Sequence, residues 1–147
     1  MEYEFYKFGG KGRSNVQITT FFMFEGQAEA AMNFYTSIFD NSDITSISRY
    51  GAEGPGPEGS VQQARFTLNG QSYMCIDSFV AHDFTFTPSI SLFVTCDTEE
   101  QVDRAYEKLS EDGAVLMPLS EYPFSKKFAW VKDKFGVTWQ LSLLSEK

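Results

Sequence analysis

The chain predicts an α+β fold: two βαβββ repeats whose sheets form an incomplete barrel, with the helices packed outside. Three observations lead there. Apolar residues recur at helical spacing in two well-separated stretches, 27–39 and 99–111. A strand-like run precedes each stretch, and three such runs follow it. The same order of elements therefore occurs twice, which marks a duplication whose two curved sheets can pair.

The first strand is "VQITTFFMF" (16–24), rich in β-branched and aromatic residues. In the helix that follows, Ala28, Ala31, Met32, Tyr35, Ile38 and Phe39 fall on one face. "DNSD" ends it, and 44–50 is a second strand. Residues 51–60 hold four Gly and two Pro, a loop by composition. Two strands then flank Asn69-Gly70, a strong hairpin signal. Residues 79–88 link the halves. "SISLFVTCD" (89–97) opens the second half as a strand. The helix after it has Thr98 as N-cap, Glu99 and Glu100 in its first turn, and Gly113 at its C′ position. A strand at 114–119, a loop "SEYPFSKK" at 120–127 and a closing hairpin at 128–144 complete the pattern. Tyr35 and Tyr106 occupy matching places in the two helices. Residues 1–15 stand outside the repeat as an extension in which "EYEFYKF" can add an edge strand. Residues 16–147 form a single domain with halves at 16–78 and 88–143.

Composition excludes several classes. Hydrophobic residues make up 42% and aromatics 16% of 147 residues, enough for a large core, so most of the chain is not disordered. The net charge is −8 and Lys126-Lys127 is the longest basic run, so no nucleic-acid groove is expected. No apolar run approaches the ~20 residues a membrane helix needs. The first residues lack a signal-peptide core. Cys75 and Cys96 sit inside strands as small apolar residues, with no Cys-x-x-Cys and no disulfide framework. The expected location is cytoplasmic.

Asp77 is the ionisable residue best placed for chemistry. Inside an aromatic cavity its pKa would rise by desolvation, which suits a general base; alternatively it ends a strand and caps the next turn. Trp139 and Gln140 point to opposite faces of the last strand. About half of Phe21, Phe22, Phe24, Phe66, Trp130 and Trp139 should face the helices and half a cavity. His82, the single histidine, lies in the linker.

The stretches "FEGQAEAAMNFYTSIF" and "EKLSEDGAVLMPLSEYPFSKKFAWVKDKFGVTWQLSL" resemble the vicinal-oxygen-chelate (glyoxalase/bleomycin-resistance) superfamily. The Tyr-bearing first helix, the Asn-Gly hairpin before "MCIDS" and the closing "DKFGV.W" resemble its PhnB-like branch, often labelled 3-demethylubiquinone-9 3-methyltransferase. Metal-dependent members place one ligand on the first and last strand of each half. The resemblance puts those positions at Thr20, Asp77, Ser89 or Ser91, and Gln140. One carboxylate, hydroxyls and an amide make a poor divalent-metal site, so neither metal nor cofactor is expected. Gln140, where relatives hold a glutamate, either recognises an organic ligand directly or satisfies neighbouring polar groups. The resemblance thus implies a homodimer binding a small molecule in a barrel cavity, with Thr20, Ser89, Ser91, Gln140, Phe22 and Trp130 as binding residues and Asp77 as the catalytic group, if there is one. The alternatives are a metal-dependent lyase, isomerase or dioxygenase, and a drug-sequestering protein for which the acidic balance favours a cationic ligand.

Overall fold

The computed structural model describes residues 15–145. The first half contains β1 (Thr20–Phe24), α1 (Ala28–Ile38), β2 (Asp43–Arg49), β3 (Val61–Leu68) and β4 (Gln71–Asp77). The second contains β5 (Ser91–Cys96), α2 (Glu99–Ser110), β6 (Ala114–Tyr122), β7 (Ser125–Lys132) and β8 (Thr138–Leu143). The strand orders are β1-β4-β3-β2 and β5-β8-β7-β6, so the same topology occurs twice in two four-stranded mixed sheets, and no barrel closes. In each, the first and last strands pair parallel and the others antiparallel. The edge strand expected within residues 1–15 lies outside the described residues.

Local chemistry explains most boundaries. Asn69 and Gly70 take φ of 49° and 84°, the two left-handed residues of a tight hairpin turn. At the start of α2, the Thr98 hydroxyl accepts from Gln101 N–H while the Gln101 side chain accepts from Thr98 N–H, a closed capping box. Two expectations need correction. Residues 120–127 are not a loop: β6 runs to Tyr122 and β7 starts at Ser125, so only a two-residue turn remains. Aromatic packing holds this hairpin, because Tyr122, Phe124 and Phe128 form ring contacts with one another. At the end of α2, Asp112 takes the left-handed conformation (φ 58°). Gly113 is needed for space, since a Cβ there would collide with the Lys132 carbonyl.

Alternation along the strands sorts each sheet into two faces. On the first sheet, Phe22, Phe24, Ala64, Phe66 and Cys75 are buried beneath α1. On the second, Ala129, Val131, Trp139 and Leu141 are buried beneath α2, whose inner face is Val102, Ala105 and Leu109. Tyr35 bridges the halves, with ring contacts to Phe66 on one sheet and Trp139 on the other. The buried residues of both halves form one continuous cluster. Among the described residues, each sheet keeps a second face with no helix on it. On the first sheet this face carries Phe21, Met23, Met74 and Ile76; on the second it carries Phe93, Gln140 and Trp130. Phe21 and Phe93 are 49% and 60% exposed.

Candidate functional site

The helix-free face of the second sheet gathers several of the expected binding residues. Phe93 on β5, Gln140 on β8, Trp130 on β7 and Met117 on β6 form one row across the strands. Gln140 faces outward because Trp139 and Leu141 on either side are drawn into the core. Its Nε2 donates to Ser91 Oγ at 3.2 Å. Of the two candidate serines, Ser91 therefore meets Gln140, whereas Ser89 lies before β5 and its Oγ is 2.8 Å from Thr87 Oγ1. Ser142, in the adjoining row, has its hydroxyl 3.0 Å from that of Ser125 at the start of β7. A polar line thus runs along an otherwise aromatic face. Its Nε2–Oγ bond joins a donor and an acceptor that each retain further capacity for a guest.

Thr20 and Phe22 have the opposite parity. Thr20 starts β1 on the helix side of its sheet, and Phe22 is packed among Phe24, Phe66, Tyr73 and Phe86. Both still line a recess of about 260 Å³ between the two halves, which Phe86, Ser91, Leu92 and Thr138 share. Ser91 is thus the meeting point of the recess and the Gln140 face.

Asp77 is elsewhere. It pairs with Phe24 in the β1–β4 ladder and is 4% exposed. Its Oδ1 accepts from Gly26 N–H at 2.9 Å and Ala28 N–H at 2.8 Å; its Oδ2 accepts from Val61 N–H at 3.0 Å. Helix α1 has no side-chain cap of its own at Gln27. Asp77 supplies that function from 49 residues away, as a carboxylate at the positive end of the helix. The capping alternative thus describes its contacts, although the turn it caps precedes it in the chain. Convergence of Thr20, Asp77 and Gln140 on one guest is not what the structure shows.

A divalent metal does not fit these residues. Ser91 and Gln140 are neutral, and the one carboxylate of the expected set faces the opposite side of the other sheet with three backbone donors on it. Among the described residues, no three His, Cys, Asp or Glu side chains come together as a metal-binding group. His82 Nε2 lies 3.0 Å from Ser78 Oγ, and its ring stacks on Phe84. Cys75 is buried, and desolvation together with the Asp77 charge pushes its thiol up to about 12, so it stays protonated.

Sequence reasoning missed the second buried carboxylate, Asp133. It is 2% exposed and accepts four hydrogen bonds: Tyr35 O–H (2.7 Å) and Trp139 Nε1–H (2.9 Å) on Oδ2, and Phe135 N–H (2.8 Å) and Val137 N–H (3.1 Å) on Oδ1. It ties α1 to the β7–β8 hairpin. Burial, and then the nearby Asp133 charge, raise the Tyr35 pKa far above its ordinary value. The clue in the sequence was an aspartate beginning a glycine turn six residues before a core tryptophan.

The model of the family described as 3-demethylubiquinone-9 3-methyltransferase matches residues 16–142. Among solved structures, the chain is similar to a Bacillus cereus protein described as 3-demethylubiquinone-9 3-methyltransferase, PhnB protein. The two are 66% identical over 88% of this chain and 100% of that one, with a TM-score of 0.86. A Pseudomonas aeruginosa protein is 22% identical, over 90% of this chain and 100% of that one, with a TM-score of 0.77. A domain from Frankia sp. described as glyoxylase/bleomycin resistance protein/dioxygenase is 16% identical, over 90% and 95%, with a TM-score of 0.64. These two show the fold alone. No curated protein matches the chain.

Proposed function

The chain belongs to the 3-demethylubiquinone-9 3-methyltransferase family, PhnB-like within the glyoxalase/bleomycin-resistance fold, and from that premise we propose that it binds a small organic molecule, without a metal, on the helix-free face of its second sheet. The observation that carries this is the Gln140–Ser91 hydrogen bond set beside the exposed ring of Phe93. An apolar surface with a few convergent polar groups is the usual make-up of a small-molecule site. The fit is to direct recognition by hydrogen bonds, since the groups present are an amide and a hydroxyl.

A single sheet face is only one wall. The second wall comes from a second copy of this chain, in a homodimer that also covers the half-exposed row of Phe21, Met23, Met74 and Ile76 on the first sheet. The cytoplasmic setting expected from the sequence belongs to this proposal. Methyl transfer does not. The glycine-rich loop at 51–60 joins antiparallel strands β2 and β3, whereas the turn expected of an S-adenosylmethionine site leads from a strand into a helix. Acid–base chemistry by Asp77 is also left out, since its carboxylate lies buried on the helix side of the first sheet, away from the Gln140 face, and holds the Gly26, Ala28 and Val61 N–H groups.

Native mass spectrometry of freshly purified protein tests the proposal. A dimer retaining an organic adduct and no metal is expected. A monomer at micromolar concentration, or a stoichiometric metal ion, would overturn it.

A further inference from the structure

Trp130 has the one buried side-chain nitrogen or oxygen without a hydrogen-bond partner among the described residues, its indole Nε1. Such orphans are rare, because a buried donor without an acceptor is destabilising. This one sits directly across β7–β8 from Gln140, in the middle of the proposed binding face. An indole N–H can only donate. Trp130 as a whole is half-buried.

The groups around it have the same bias. Ser91 Oγ already accepts from Gln140 Nε2, which frees the serine proton for a guest, and the amide keeps a second N–H. Lys132 lies two residues along β7 on the same face and is exposed. Three rows cross this face: Ser91, Thr138, Lys132 and Ala114; Phe93, Gln140, Trp130 and Met117; Thr95, Ser142, Phe128 and Ser120. They contain one cation and no carboxylate, in a chain whose net charge is −8. The acidic balance of the whole chain favoured a cationic ligand; the local chemistry reverses that.

We infer that the ligand's anchoring group is an anionic oxygen group of the carboxylate type, received by Trp130 Nε1–H with the Gln140 amide and the Ser91 hydroxyl. The inference rests on the binding role proposed above and names its ligand class. An anion fills three donor positions at once, and charge-assisted hydrogen bonds are the stronger kind. The exposed Phe93 ring beside Gln140 offers an apolar surface to the rest of the molecule.

The test uses benzoate as the probe and benzylamine as its cationic counterpart, at matched ionic strength, with the ¹⁵N-labelled full chain. The chain has two tryptophans, so two indole N–H resonances are followed. Trp130→Phe assigns them, and Trp139, bound to Asp133, reports that the fold is intact. Benzoate should shift the Trp130 resonance saturably and leave Trp139 in place, while benzylamine moves neither. Gln140→Leu should weaken the benzoate response about tenfold. A Trp130 shift with benzylamine and none with benzoate overturns the ligand class while the site stands. If neither probe shifts Trp130, as when its N–H pairs with the Gln140 carbonyl in solution, both the class and the site fall.

Discussion

Removing the Asp133 carboxylate tests how the two halves are joined. Its two oxygens receive four donors, and Tyr35 O–H, Trp139 Nε1–H and Val137 N–H are all buried. Asp133→Ala strands these together, and each buried donor without an acceptor costs about 1–3 kcal/mol. Water entering the vacated space offsets part of that, leaving an expected loss of about 4 kcal/mol, a large share of the ~5–15 kcal/mol that holds a domain folded. Asp133→Asn keeps one accepting oxygen for Phe135 and Val137 but sets an amide N–H₂ against Trp139 Nε1–H. The Tyr35 hydroxyl can rotate to accept; the indole cannot. The loss should be about 3 kcal/mol. Tyr35→Phe removes one donor, leaves the carboxylate three, and should cost about 2 kcal/mol. Urea unfolding followed by circular dichroism measures all three, with slopes checked for constancy. The expected order is Ala, then Asn, then Tyr35→Phe. An Asp133→Ala protein within about 1 kcal/mol of wild type would show that the junction is held by apolar packing alone.

Alkaline stability follows from the same tyrosine. Its folded pKa lies above its ordinary value of 10.0, so its contribution is complete below that pH and is lost as pH rises above it, by about 1.4 kcal/mol per unit; Tyr35→Phe should flatten that slope in unfolding measured from pH 9 to 11. Asp77→Ala should lower stability by about 3 kcal/mol and strip hydrogen-exchange protection from Gly26, Ala28 and Val61 together, since these amides share its oxygens; unchanged protection at all three would refute the capping role. Gln140→Glu creates one carboxylate beside Ser91 with no second acid among the register partners of its face, so calorimetry with zinc should show no stoichiometric binding.

Elements and their order were legible in the residues because local rules set them. The helical periods, the Thr98 cap and the Asn69-Gly70 turn each depend on neighbours within a few positions. The outward aim of Gln140 was legible too, since two core residues flank it. What tertiary structure alone decided was what each polar residue meets on its side of a sheet. Side chains alternate with period two, so Thr20 and Asp77 share the helix side with Phe22 and Cys75 while Met23 and Ile76 take the other. Asp77 reaches a helix start 49 residues earlier, and Asp133 accepts from a tyrosine 98 residues away. Those pairings exist only once the sheets and helices have packed, because hydrogen bonds at such separations follow from the folded path of the chain and leave no periodic mark in its sequence.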